Sequence, residues 1–118
     1  MKNAGLLLVL LAMTTPSLGA DERLAVEVPS VMLAPGHLVV QTQIEPDPAN
    51  RAIQVTAESS AFYRSSEILL DGDAAPRRNS FEFKDLPQGS YDLHVTLLDG
   101  KGEPRAVVVR TLQVRSRV

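Results

Sequence analysis

Apolar and polar residues alternate with a period of two along most of this chain, the pattern of strands with one face buried and one in water. Leu24, Val26 and Val28 alternate with Ala25 and Glu27, and Pro29 then breaks or bends that strand, as suits a sheet edge. Leu38, Val40, Thr42 and Ile44 alternate with Val39, Gln41 and Gln43. Ile53, Val55 and Ala57 alternate with Gln54, Thr56 and Glu58. Residues 59–66 lose the pattern, and residues 67–70 read as a short strand closed by Asp71-Gly72. Phe81 and Phe83 flank Glu82, and Tyr91, Leu93, Val95 and Leu97 alternate with Asp92, His94 and Thr96. The last strand covers residues 106–114, where the apolar phase changes from Val107 and Val109 to Leu112 and Val114. A one-residue change of phase predicts a bulge near Arg110-Thr111.

Between these runs lies turn chemistry. Glu45-Pro46-Asp47-Pro48-Ala49-Asn50 holds two prolines, which fix φ and remove donors. Residues 73–79 form a loop with Pro76, and Asp99-Gly100-Lys101-Gly102 is a hairpin turn whose glycines accept positive φ. Beyond the leader discussed next, no segment keeps a helical period over ten residues. The prediction is an all-β chain, an immunoglobulin-like β-sandwich of about seven antiparallel strands over residues 21–118.

Residues 1–20 read differently. Lys2 supplies a positive start, residues 6–13 (LLLVLLAM) a short apolar run, and residues 14–20 a polar stretch of small residues. That order is the pattern of a secretory signal peptide, and the apolar run is too short to span a bilayer. The expectation is an exported, soluble protein of the periplasm or extracellular space, with no transmembrane segment once the leader is removed.

Composition narrows the chemistry. There is no cysteine, so no disulfide can staple the domain and packing must hold it. Thiol catalysis, cysteine-zinc sites and iron–sulfur clusters fall with the same count. The 12 Lys and Arg against 14 Asp and Glu leave a formal net charge of −2, without the basic excess of a nucleic-acid binder. Arg105, Arg110, Arg115 and Arg117 read as a solvated face.

The most specific local motif is Leu86-Pro87-Gln88-Gly89-Ser90-Tyr91. A leucine, a tight Pro/Gly corner and a Tyr opening an alternating strand resemble the tyrosine corner of Greek-key sandwiches. Residues 81–98 thus look like two successive strands of a fibronectin type III-like or bacterial immunoglobulin-like domain. The resemblance implies a structural role for Leu86, Pro87, Gly89 and Tyr91, with the phenol bonded back to the backbone near the corner. It also implies a binding, spacer or assembly module more than an enzyme. The chain lacks the Trp and the cysteine pair of antibody domains.

His37 and His94, with Met32 as a third candidate ligand, are the only histidines available for a copper or zinc pair, but they lack short metal-ligand spacing, and His94 falls on the polar phase of its strand. Asp71-Gly72-Asp73 lacks the further oxygens of a calcium loop and reads as a turn. Ser59, Ser60, Ser65 and Ser66 have no histidine beside them in sequence and no nucleophile-elbow glycines. Glu45 and Asp47 sit in a proline turn and read as solvating charges rather than a glycosidase pair. The segment that draws attention is Phe62, Tyr63 and Arg64: two of five aromatic residues, adjacent, beside an Arg, in a stretch that reads as a loop. The expectation is a non-enzymatic module without cofactor or metal, contacting a protein or cell-envelope partner through that segment. The alternative is a periplasmic carrier of a small ligand, a metal or a carbohydrate, with His37 and His94 or the Phe62-Tyr63 loop as its site.

Overall fold

The computed structural model describes residues 23–117, so the leader of residues 1–20 and its cleavage point lie outside the described residues. Eight strands follow in order: β1 (Leu24–Glu27), β2 (Val31–Leu33), β3 (Gly36–Ile44), β4 (Ala52–Ser59), β5 (Phe62–Leu69), β6 (Arg78–Leu86), β7 (Gly89–Leu98) and β8 (Pro104–Arg115). They form a three-stranded sheet, β1-β3-β6, and a five-stranded sheet, β2-β8-β7-β4-β5. All pairings are antiparallel except β2 with β8, which is parallel. The described residues are all-β, as the alternation requires, with one strand more than expected. The addition is β2, three residues too short for a period to register.

Each alternating run buries its apolar phase. In the smaller sheet Leu38 lies opposite Phe83 and Val40 opposite Phe81. In the larger sheet Ile53, Leu97 and Ala106 form one inward row, and Val55, Val95 and Val108 the next. Side chains from both sheets join a single hydrophobic core, giving a sandwich-like two-layer packing. Each fully buried Leu, Ile, Val or Phe contributes on the order of 1.5–3 kcal/mol, and no disulfide assists it.

β8 corrects the expected bulge. Val108 is buried, whereas Val107 and Val109 are 45% and 49% exposed. The pairing runs unbroken past Arg110 and Thr111, and the register shift sits at Leu97/Leu98 instead. Three successive valines make both phases apolar, so the sequence alone misassigns the inward one. Val107 and Val109 lie opposite Thr96 and His94 on the wet face. Arg110 continues the inward row of Ala57 and Leu93, at an exposed margin.

β5 corrects the expected loop. The strand begins at Phe62, not Glu67, so Phe62, Tyr63 and Arg64 are strand residues. β5 is the outermost strand of the larger sheet and is mostly exposed on both phases. A strand wet on both faces needs no alternation, which is why residues 59–66 show none.

Candidate functional site

The motif around Tyr91 folds as its resemblance implies. The Tyr91 hydroxyl donates to the Pro87 carbonyl at 2.7 Å, and Leu86 and Tyr91 are buried at the turn between β6 and β7. Burial raises the Tyr91 pKa above its ordinary 10.0, against the opposing pulls of Ser59 and Arg64. This corner is the floor of the candidate site.

Phe62 and Arg64 stack on that floor. The Phe62 ring meets the Tyr91 ring edge-on, with centroids 5.8 Å apart and planes at 74°. The Arg64 guanidinium carbon lies 5.0 Å above the Phe62 ring, and Arg64 Nη1 donates to the Lys84 carbonyl at 2.9 Å. Because Lys84 belongs to β6, this contact ties the open margins of the two sheets together. Such a stacked cation contributes about 0.5–1 kcal/mol at an exposed site.

Tyr63 points the other way. Its strand phase is opposite that of Phe62 and Arg64, its cross-strand neighbour is Glu58, and it is 65% exposed. The segment flagged in the sequence therefore divides. Phe62 and Arg64 brace the fold, and Tyr63 stands in solvent. Leu69, at the far end of β5, is 80% exposed on the same phase as Tyr63.

The other candidates are dispersed or reassigned. His37 belongs to the wet phase of β3, where its Nε2 lies 3.8 Å from Glu82 Oε1. His94 belongs to the wet phase of β7 in the other sheet. The two histidines thus stand on opposite outer faces and cannot share an ion, while Met32 turns toward the core. Ser65 lies 3.4 Å from Thr56, whose neighbour on β7 is His94, but this row crosses an open sheet face. Asp71 precedes a short 3-10 turn, Gly72–Ala74, in which Gly72 takes φ +56°. An added Cβ there would meet the Pro48 carbonyl oxygen at 3.1 Å.

The proline turn holds a group that sequence reasoning missed. Asn50 is 0% exposed; its Nδ2 donates to the Glu45 carbonyl at 2.9 Å, and its Oδ1 accepts from Arg105 Nη1 at 2.6 Å. Arg105 Nη2 also meets Asp47 Oδ2 at 3.2 Å. Asp47 and Arg105 are therefore partners in a half-buried clamp, not solvating charges. An Asn closing a proline turn was the available signal. A separate open depression of about 310 Å³ lies over the smaller sheet, lined by residues that include Glu27, Gln41, Gln43 and Arg78. No predicted site residue lines it.

No protein-family profile matches the chain, and no curated protein matches it by sequence. Solved structures do match in shape. A family 76 glycoside hydrolase from a bovine Bacteroides thetaiotaomicron strain superposes with a TM-score of 0.55 at 12% identity, over 77% of this chain and 20% of the hydrolase. The CARDB domain of a Pyrococcus furiosus protein, solved with di-metal ions, gives 0.51 at 13% identity, over 80% of this chain and 92% of the domain. The sulfur carrier protein SoxY from Chlorobium limicola f thiosulfatophilum gives 0.51 at 12% identity, over 79% of each chain. Among the described residues no helix is long and apolar enough to cross a membrane. At these identities the likeness concerns the fold, and with the two facing sheets it places the chain among all-β, sandwich-like proteins.

Proposed function

We propose that this chain is an exported, non-enzymatic contact module of immunoglobulin-like or fibronectin type III-like build. It holds a protein, or another component of the cell envelope, at the β5 edge around Phe62, Tyr63 and Arg64. The observation that carries the reading is the state of β5: an outermost strand of eight residues with Tyr63 exposed on it and Phe62 and Arg64 bracing it from beneath. An open strand edge offers main-chain donors and acceptors to an extended segment, and alternate side chains then discriminate among segments. The bonded tyrosine corner supports the finer fold reading, and the leader pattern of residues 1–20 supports export.

The alternative, a carrier of a metal or carbohydrate, loses its histidine pair to the fold and keeps only the Phe62-Tyr63 segment as its site. The test is capture from a cell-envelope fraction by the immobilised protein and by Tyr63→Ala. The variant should keep its unfolding midpoint and lose the captured partner. Undiminished capture by a folded Tyr63→Ala would remove β5 as the contact.

A further inference from the structure

We propose that β5 is a homotypic edge: two copies of this chain join β5 to β5, antiparallel, about a twofold axis at Ser66. The proposal rests on the reading of β5 as a contact strand and names its partner as a second copy.

Open strand edges are ordinarily blocked by brevity, proline, lysine or a charge on the inward phase. β1 has four residues and runs into Pro29, and β2 has three and runs into Pro35 after Ala34. β6 carries Arg78, Lys84 and Asp85, the last at φ +59°. Along β8 beyond β2, Arg110 occupies the inward phase and its Nη1 donates to the neighbouring Val109 carbonyl. β5 has eight residues, no proline and no lysine. Its inward charge, Arg64, is held over the Phe62 ring by its bond to the Lys84 carbonyl, so part of its donor capacity is already taken.

The sequence of β5 is also complementary to itself. A twofold axis normal to the sheet keeps each face on its own side, so it pairs residues of like phase. Centred on Ser66, it sets Tyr63 opposite Leu69 at both ends, Ser65 opposite Glu67, and Ser66 opposite its own copy. The two large apolar side chains that β5 exposes thereby cover each other. Centred on Ser65, the axis would instead oppose Tyr63 to Glu67 and carry Leu69 past the strand start. The Ser66 register leaves the two Glu67 carboxylates on a diagonal at the exposed rim, where salt screens them. Joining the strands makes one continuous ten-stranded sheet from two five-stranded ones. A single strand pair covers less than the roughly 800 Å² per partner of a standard interface, so the dimer is weak and concentration-dependent.

Sedimentation velocity over a concentration series up to about 1 mM should show a monomer–dimer equilibrium. Leu69→Lys should weaken it about tenfold or more, because an edge lysine opposes strand addition. Register is read by cysteines placed in this cysteine-free chain. Directly opposed Cα atoms lie about 4.5–5.5 Å apart, within disulfide reach. On oxidation Ser66→Cys should give a covalent dimer about tenfold faster than Ser65→Cys or Glu67→Cys alone, and a mixture of the latter two should cross-link to each other. Ser66 is exposed, so the reduced variant should keep the parent's unfolding midpoint. A monomer at the highest concentration, or cross-linking fastest at Ser65 or equal at all three sites, overturns the proposal. A monomer whose Tyr63→Ala variant still loses an envelope partner overturns the dimer alone. A Ser66-linked dimer whose envelope contacts ignore every β5 change overturns the envelope partner alone.

Discussion

A few side chains brace this fold through one or two polar contacts each. Tyr91 donates one bond to Pro87 from within the core, so Tyr91→Phe strands a carbonyl without other cost in shape. The loss should be about 1–3 kcal/mol, read as a lower urea midpoint at unchanged slope. Asn50 satisfies two groups at once, and Asn50→Ala should cost more than Arg105→Ala. The first substitution leaves both the Glu45 carbonyl and the Arg105 guanidinium short of a partner; the second strands the buried Asn50 Oδ1 and releases the Asp47 carboxylate, which at 40% exposure water can satisfy. Thermal unfolding of the two variants checks the order. Tyr63 and Arg64 differ in the same way. Tyr63→Ala should leave the melting temperature unmoved, whereas Arg64→Ala should lose about 1 kcal/mol through its stacking and its bond to Lys84. Equal stability of the two would mean that the Arg64 bridge between the sheets contributes nothing.

At the scale of elements, the β7–β8 hairpin shows how a turn is held by charge. Asp99 Oδ1 accepts from the backbone N–H groups of Lys101 and Glu103 at 2.8 and 2.9 Å, while Gly102 takes φ +80°. Those two backbone bonds, Glu103's the larger influence, hold the Asp99 carboxyl below its ordinary 3.8. A carboxyl with a lowered folded pKa stabilises the fold above its unfolded pKa and ceases to as pH falls through the folded value. Asp99→Asn should therefore be the less stable protein near neutrality, and its deficit should shrink below about pH 4. A deficit independent of pH would mean that only the shape of the side chain matters. Tyr91 works in the opposite sense: its raised pKa stabilises the fold below pH 10.0 and is lost as pH rises through the folded value. Most elements were legible before the fold, because β3, β4, β6 and β7 each bury one phase and wet the other. β2 and the first half of β5 were not. The one is too short for a period, and the other is exposed on both phases.

For the molecule as a whole, the absence of cysteine makes a simple forecast. Urea unfolding should not respond to reducing agent, since packing and hydrogen bonds hold the core and there is no disulfide to reduce. The leader pattern makes another. N-terminal sequencing of exported protein should begin near Asp21, after cleavage behind Gly19 or Ala20, and a start at Met1 in a soluble fraction would remove the export reading.

What the sequence determined by itself was local. Periodicity chose strands over helices, Pro and Gly placed the turns, and the Leu86–Tyr91 motif named its own hydrogen bond, because each depends on neighbours a few residues away. Tertiary structure alone decided which strands lie at an edge and which far-separated groups meet. Val107 and Val109 are as apolar as Val108, and only pairing with β7 turns them outward. His37 and His94 are alike in sequence and part company because their strands enter different sheets. Asn50 and Arg105 meet across 55 positions, and Phe62, Tyr63 and Arg64 divide between bracing and display. Burial and partnership are properties of a position in space, and a chain read in order does not yet have one.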